Sequence, residues 1–225
     1  MGGPGPILAI DTSTDQAGVA VSGDGVAIGL SWNAGRNQTI SVLDQVDRCL
    51  GLAKRRVDEL SAIAVANGPG MFTSLRVGLS LAKGLAMANG LPIVGVPTLE
   101  LVAHPWIGFE REIVAVVPVG RGRVVWQRFS DRGDATSQPV NAALEELLDV
   151  LDDPTHGLVA GDVPESFAHE LTSKGFIVRT DPVARRNPLV LAELGVRRLA
   201  ASGADDLTLL QPDYVLSRSG AVAGA

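Results

Sequence analysis

The chain has 225 residues, of which 46% are hydrophobic, and it carries a formal net charge of −6. This length and composition are typical of a globular protein with one large or two small domains. The acidic balance argues against a general binder of nucleic acid or anionic membranes, and a single cysteine, Cys49, leaves no internal disulfide. We expect a protein of the reducing cytoplasm because one cysteine allows no internal disulfide, and we expect no membrane engagement because no apolar run reaches membrane-spanning length.

The first hundred residues alternate between strand and helix patterns. The Asp24-Gly25 step between two short apolar runs is a strong hairpin signal, so the first three strands are predicted to form an antiparallel meander. The predicted strands are 7–10, 19–21, 26–30, 62–66 and 91–96, and the predicted helices are 39–54 and 73–88. Cys49 lies on the apolar stripe of the first helix and is expected to be buried.

The second half is a looser copy of the first. Its predicted strands are 113–117, 124–129, 157–160 and 176–178, and its predicted helices are 141–150, 165–173 and 188–201. Two tandem β-β-β-α-β-α units with mixed sheets are the plan of the α/β actin-like, sugar-kinase-like (ASKHA) ATPase fold. We therefore expect an N-terminal subdomain at 1–105 and a smaller, degenerate one at 106–225 that includes the C-terminal helix and tail.

A polar turn follows the first strand. In the actin-like fold this turn carries an Asp and hydroxyl residues that approach phosphate and Mg²⁺. The candidates for a nucleotide or phosphate loop are Asp11, Thr12, Ser13, Thr14 and, from the later glycine turn, Gly68 and Gly70. The alternative is an ordinary turn in which Asp11 and Ser13 satisfy backbone N–H groups.

The helix at 73–88 is apolar on several faces and is interrupted by two glycines, each of which costs about 1 kcal/mol against alanine. Small residues at four-residue spacing predict close approach of another backbone, so we expect this helix to serve as both core and contact surface. Together with the helix at 39–54, it supplies the candidate partner interface: Val42, Val46, Ser74, Gly78, Leu81, Ala82, Leu85 and Ala86.

Three stretches resemble one known family. They are ILAIDTST at 7–14, NGPGMFTSLRVGLSLAKGLA at 67–86 and PIVGVPTLE at 92–100, with fainter V-V-W at 124–126 and P-D-Y at 212–214. They are similar to TsaB, a bacterial subunit of the machinery that makes threonylcarbamoyladenosine in tRNA. The resemblance implies the actin-like fold and a subunit that pairs with its catalytic paralogue TsaD and with the ATPase TsaE.

The resemblance also implies that this chain lacks the chemistry of the paralogue. TsaD holds a metal with two histidines four residues apart, and the matching positions here are Thr98 and Val102. We therefore expect no metal ligands and no catalytic residues. In the second half, Pro118, Val119, Gly120 and Arg123 replace the Asp-Ala-Arg and nearby acid of TsaB relatives, so a second phosphate-side carboxylate is missing.

Three arginines of this region, Arg121, Arg123 and Arg128, could face an acidic partner or RNA, although a solvated strand edge is favoured. Two hypotheses remain for the whole chain. The first is a non-catalytic partner subunit that joins a TsaD-like transferase and a TsaE-like ATPase, meets tRNA through the complex and forms a homodimer when alone. The second is a small actin-fold ATPase or phosphotransferase using Asp11. No cofactor is expected on the isolated chain, and ATP with Mg²⁺ is expected only at the level of the complex.

Overall fold

The computed structural model describes residues 5–34, 38–151, 157–179 and 186–215. These residues form two compact units. The first comprises the described parts of Met1–Gly68, Thr73–Pro97 and Asn187–Asp213, and the second comprises those of Pro69–Phe72, Thr98–Arg186 and Tyr214–Ala225. Within the described ranges, no helix combines the length and hydrophobicity needed to cross a membrane.

The described residues contain ten strands and six α-helices. The strands are β1 (Ile7–Asp11), β2 (Gln16–Gly23), β3 (Val26–Asn33), β4 (Ala62–Gly68), β5 (Ile93–Pro97), β6 (Glu112–Gly120), β7 (Arg123–Phe129), β8 (Val140–Ala143), β9 (Gly157–Gly161) and β10 (Ile177–Arg179). The helices are α1 (Gln38–Ala53), α2 (Phe72–Asn89), α3 (Thr98–Ala103), α4 (Leu144–Val150), α5 (Glu165–Ser173) and α6 (Pro188–Ser202).

The first unit is built on a five-stranded mixed sheet in the order β3-β2-β1-β4-β5. The predicted meander is confirmed, because β2 pairs antiparallel with both β1 and β3. Strand β4 then joins β1 in parallel, and β5 joins β4 in parallel. Parallel neighbours require crossover connections, which α1 and α2 provide.

The two faces of this sheet bury different helices. Alternate residues of β1, such as Leu8 and Ile10, lie in one apolar cluster with the buried stripes of α1 and α2, and this cluster also contains Cys49, as predicted. On the other face, α6 contacts all five strands, from β3 to β5. Its Gly195 lies so close to the sheet that an added Cβ would stand 2.5 Å from the Cβ of Ala64.

The second unit repeats this plan. Its sheet has the order β10-β9-β6-β7-β8, with β6 antiparallel to β7, β7 antiparallel to β8, and β9 parallel to both β6 and β10. Helix α3 covers one face, and α4 with α5 covers the other. The hydrophobic pattern predicts a helix over the whole of 141–150. In the structure its first residues belong to β8, the third strand of the copy.

The domain boundary predicted from the sequence differs from the structure in one systematic way. Each half of the sequence ends in a helix, and that helix packs on the sheet of the other half. Helix α3 follows β5 but belongs to the second unit, while α6 was assigned to 106–225 and packs in the first unit. With this correction, the chain has the actin-like fold that the two tandem units predicted.

Candidate functional site

The polar turn after β1 is an internal feature of the first unit. Asp11, Thr12, Ser13 and Thr14 are each at most 2% exposed. The Oδ1 atom of Asp11 accepts two hydrogen bonds from Ser13, one from the backbone N–H at 2.8 Å and one from the hydroxyl at 2.7 Å. This is the side-chain-stabilised turn that is the alternative to a phosphate loop. The described contacts therefore give Asp11 and Ser13 a structural role.

Thr12 links this turn to helix α2. Its hydroxyl donates to the carbonyl oxygen of Ser74 at 2.6 Å and accepts from the backbone N–H of Gly78 at 3.1 Å. Ser74 and Gly78 are four residues apart, so they are the two groups that a regular helix joins to each other. The side chain of Thr12 is thus inserted at one rung of the α2 hydrogen-bond ladder.

Replacement of Asp11 tests how much the turn contributes. We expect Asp11→Ala to lower the free energy of unfolding by about 2 kcal/mol, because both buried bonds to Ser13 lose their acceptor. Asp11→Asn keeps the Oδ1 acceptor and should cost less than about 1 kcal/mol. Urea unfolding followed by circular dichroism distinguishes the two variants. An Asp11→Ala variant as stable as wild type would show that the turn does not depend on this carboxylate.

The glycine candidates of the second turn lie in different units. Gly68 ends β4 with a φ of +121°, and an added Cβ would stand 2.5 Å from the carbonyl oxygen of Asp213. The N–H of Asp213 donates to the carbonyl of Asn67 at 2.7 Å, so Gly68 makes room for the C-terminal segment. Gly70 is buried in the second unit. The surroundings of Gly68 and Gly70 do not identify either residue as a phosphate ligand, so their assignment to a phosphate loop stays a prediction.

The P-D-Y element also gains a physical role. In the second unit, the ring of Tyr214 stacks on that of Phe72, with centroids 5.1 Å apart and planes 27° apart. In the first unit, the backbone of Asp213 is bonded beside Gly68, as described above. The two late residues therefore hold the C-terminal segment in place.

Most of the residues assigned to a partner interface are buried inside the first unit, and the structure corrects that assignment. Ala82 and Ala86 are fully buried, and Gly78 faces Thr12 of the same chain. The close approach predicted from the small-residue stripe is real, but the neighbour is the chain's own first turn. The buried members are Val42, Val46, Ser74, Gly78, Ala82 and Ala86, and only Leu81 and Leu85 are partly exposed.

A second stripe of small residues, absent from the predicted interface, lies on the outer side of α2. Ser80, Gly84 and Ala88 are four residues apart and exposed, with half-exposed Val77 and Leu81 beside them. Among the residues that the structure describes, none outside the local helix backbone has an atom within 4 Å of an added Cβ at Gly84. The signal was present in the sequence, because Gly84 lies two residues from Ala82 and so points away from the buried stripe. We call these five residues the outer face of α2.

The arginines of the second unit are bonded within the chain. The guanidinium of Arg123 donates to the side-chain oxygen of Asn141 at 2.8 Å and to its carbonyl at 2.9 Å. Arg128 donates to Glu112 at 2.7 Å and to the carbonyl of Val150 at 3.0 Å. Strand β7, which carries both arginines, lies between β6 and β8, so the favoured interpretation of a strand edge is wrong.

The residues that depart from the TsaB pattern form the β6–β7 turn. The pairing shifts register between Pro118 and Gly120, and Gly120, Arg121 and Gly122 all have positive φ. Arg121 is exposed in this turn. These residues therefore form a tight hairpin. Its second strand, β7, is joined to β8 by the hydrogen bonds of Arg123.

The positions that match the paralogue's metal ligands are buried in α3. Thr98 and Val102 lie one helical turn apart and are at most 1% exposed. Across the described residues, no three His, Cys, Asp or Glu side chains are grouped so that they could hold a metal ion. We predict that elemental analysis after dialysis will find no stoichiometric zinc or iron, and a retained metal whose removal by chelators alters function would overturn this prediction.

Comparisons with known proteins give the family. The model described as "TsaD: tRNA N6-adenosine threonylcarbamoyltransferase" matches residues 32–179, well over half of the chain. The tRNA threonylcarbamoyladenosine biosynthesis protein TsaB of Buchnera aphidicola subsp. Schizaphis graminum is 34% identical over 125 residues, which cover 55% of this chain and 60% of that protein. The chain thus spans less than two thirds of this relative.

Two further matches cover nearly the whole chain. TsaB of Bacillus subtilis is 30% identical over 227 aligned positions, with 93% of each chain covered. The solved structure of YeaZ from Pseudomonas aeruginosa superposes with a TM-score of 0.75 at 20% identity, covering 94% of this chain and 100% of that one, which is a likeness of fold. The family model and the near full-length relative show that this chain belongs to the TsaB family.

Proposed function

We propose that this chain is the non-catalytic partner subunit of a complex that transfers a threonylcarbamoyl group to the adenosine next to the anticodon, in tRNAs that read codons beginning with A. The observation that carries the proposal is membership of a family whose near full-length relative is named as a tRNA threonylcarbamoyladenosine biosynthesis protein. Its partners in this proposal are a TsaD-like transferase and a TsaE-like ATPase in the cytoplasm, and the complex provides the contact with tRNA.

The identity of two buried side chains supports a non-catalytic role. Thr98 and Val102 stand where the transferase would need two imidazoles, and a valine offers no ligand atom. At the first turn, the carboxylate of Asp11 is engaged by the backbone and hydroxyl of Ser13. ATP with Mg²⁺ accordingly belongs to the complex in this proposal, and the isolated chain has no cofactor.

The outer face of α2 is the proposed docking surface for the transferase. A glycine inside a helix costs about 1 kcal/mol against alanine, and no residue in the described part of the chain approaches Gly84 closely enough to require it. The backbone of a helix from the partner could pack closely against α2 in the space left at Gly84. Val77 and Leu81 supply apolar area beside it, and Arg76 and Lys83 border it on one side.

The proposal is tested by co-purification. Tagged chain should retain the TsaD-like transferase from lysate of its own organism, and purified components should re-form a stoichiometric complex in size-exclusion chromatography. Isolated chain should show no ATP turnover above a matched blank. Turnover by the chain alone, together with no retained transferase, would replace this proposal with the small actin-fold ATPase or phosphotransferase.

A further inference from the structure

The segment that follows α6 returns along the β5 edge of the first sheet and reaches α2. The N–H of Asp205 donates to the carbonyl of Ile93 at 2.9 Å, and the carboxylate of Asp205 accepts from the N–H of Gly95 at 2.7 Å. The side chain of Leu210 is buried in the apolar cluster that α1 and α2 cover. We call residues 205–210 the C-terminal turn, and both of its ends are fixed to the first unit.

One carboxylate organises the C-terminal turn. The Oδ1 atom of Asp206 accepts from the N–H of Thr208 at 2.7 Å, from its hydroxyl at 2.6 Å and from the N–H of Leu209 at 3.3 Å. The carbonyl of Asp206 accepts from the N–H groups of Leu209 and Leu210, at 3.2 and 2.9 Å. The hydrogen bonds from Thr208 are the main reason that the pKa of Asp206 lies below its ordinary value. The carboxylate is therefore ionised at neutral pH, where the turn keeps these bonds.

Lys83 joins the C-terminal turn to α2. Its ammonium donates to the carbonyl of Leu210 at 3.0 Å, and its positive charge also contributes to the lowered pKa of Asp206. Lys83 borders the outer face of α2, so the surface continues from that face across Lys83 to the turn. The outer face of α2 and the C-terminal turn are thus neighbouring parts of one surface of the first unit.

Two apolar side chains project from this surface. Met87 lies one helical turn after Lys83, and Leu209 lies in the C-terminal turn. Each is 73% exposed, the highest value among the large apolar side chains of the described residues. A single exposed leucine needs no functional explanation. Leu209 differs because its backbone is held by Asp206 and by the buried side chain of Leu210, and such preorganisation lowers the entropy cost of binding a partner.

The size of the outer face of α2 indicates that its partner contacts more of this chain. That face comprises five residues of one helix. A stable interface uses about 20–30 residues on each side. The adjoining surface across Lys83 offers apolar area, a methionine of the kind enriched at interfaces, and a turn that is already ordered. A partner that lies on α2 at Gly84 therefore has the C-terminal turn within its reach.

We propose that the C-terminal turn is a second part of the docking surface for the transferase, with Leu209 as an anchor in an apolar pocket of that protein and Asp206 as the residue that positions it. The inference rests on the proposed function, because it concerns the same partner. The pocket would also receive Met87. An acidic side chain beside the pocket would face Lys83, whose ammonium has protons beyond the one that bonds to Leu210.

The affinity for the purified transferase, measured by surface plasmon resonance, tests the role of Leu209. Leu209→Ser should lower this affinity at least about tenfold, because the pocket loses its apolar occupant. Val150→Ser is the matched control, since Val150 is 44% exposed in the second unit, and it should bind like wild type. Both side chains are exposed, so circular dichroism should show that both variants are folded.

A double-variant cycle tests whether Asp206 acts through Leu209. Asp206→Ala should weaken binding several-fold, because the backbone of the turn loses its acceptor. In the Leu209→Ser background it should weaken binding no further, since no anchor remains to be positioned. Asp206→Asn keeps the Oδ1 acceptor and should bind like wild type. Equal losses from Asp206→Ala in both backgrounds would contradict the positioning role.

Photo-cross-linking tests the contact without relying on its energy. A benzophenone amino acid placed at position 209 should form a covalent adduct with the transferase on irradiation. The same group at position 150, in the second unit, should form none.

Two results would overturn this proposal and leave the proposed function intact. They are a Leu209→Ser variant that binds the transferase as tightly as wild type, and a complex that forms normally but gives no adduct from position 209. A wild-type chain that does not bind the transferase would instead contradict the proposed function itself, and this inference with it.

Discussion

Gly78→Ala is expected to lower the free energy of unfolding of the isolated chain by about 3 kcal/mol. The added Cβ would stand 2.2 Å from the hydroxyl oxygen of Thr12 and 3.2 Å from both Cβ and Cγ2 of that residue. The Thr12 side chain is buried and cannot yield without losing its bonds to Ser74 and Gly78. Overpacking and lost hydrogen bonds therefore add.

Gly84→Ala is the matched control on the same helix. Its Cβ would enter open space, and alanine favours a helix, so this variant should be more stable than wild type by about 0.5–1 kcal/mol. Denaturant unfolding of the two variants side by side should thus give shifts of opposite sign. Equal shifts would contradict the packing of Thr12 against α2.

A double variant identifies the cause of the loss. Thr12→Ala alone should destabilise the chain, because it removes the hydroxyl between Ser74 and Gly78. Combined with Gly78→Ala, however, it also removes the clash between the new Cβ and the hydroxyl. The double variant should therefore lose at least about 1 kcal/mol less free energy of unfolding than the two single variants lose together. Additive losses would mean that the two residues do not interact.

Leu81→Arg is expected to abolish binding of the transferase while the chain stays folded. Leu81 is partly exposed on the outer face of α2, so an arginine there can extend into water in the free chain. In the proposed complex the same charge would be buried without a partner, at a cost of about 3–5 kcal/mol. We expect affinity to fall by more than 100-fold, measured by calorimetry or surface plasmon resonance.

Ala82→Arg, at the position next to Leu81, shows how a charge in the core differs in effect from a charge on the outer face of α2. Ala82 is fully buried, so Ala82→Arg should unfold the chain rather than spare it. Ile177→Arg, on an exposed position of β10 in the second unit, controls for added charge and should bind normally. A folded Leu81→Arg protein that binds the transferase as tightly as wild type would exclude the outer face of α2 as the docking surface.

The pattern of strands and helices was largely readable from the sequence, because hydrophobic periodicity and turn residues are local signals. Two features were not. The four residues of β8 run directly into α4, so the apolar pattern has no break between strand and helix. In addition, no local feature of α3 or α6 indicates which of the two similar sheets each helix will cover, since each simply presents buried apolar residues.

The candidate site shows the same limit. Small residues at Gly78 and Ala82 correctly indicated a close neighbour, but spacing cannot distinguish the chain's own Thr12 from a partner's helix. The Asp11 turn was similarly ambiguous, since one carboxylate can serve a backbone N–H or a metal ion. The first question depends on contacts between residues more than 60 positions apart, which no local pattern encodes. The second is decided by bonds between residues two positions apart, but the residue pattern fits both uses of the carboxylate.

The most direct measurement is threonylcarbamoyladenosine formation on tRNA at a fixed amount of transferase and ATPase, with this chain titrated in. The proposed role predicts no product from the chain alone, little from the transferase without it, and a rate that saturates near one equivalent of chain per transferase. The Leu81→Arg variant should not restore the rate. Full product formation without the chain, or formation catalysed by the chain alone, would contradict a non-catalytic partner subunit.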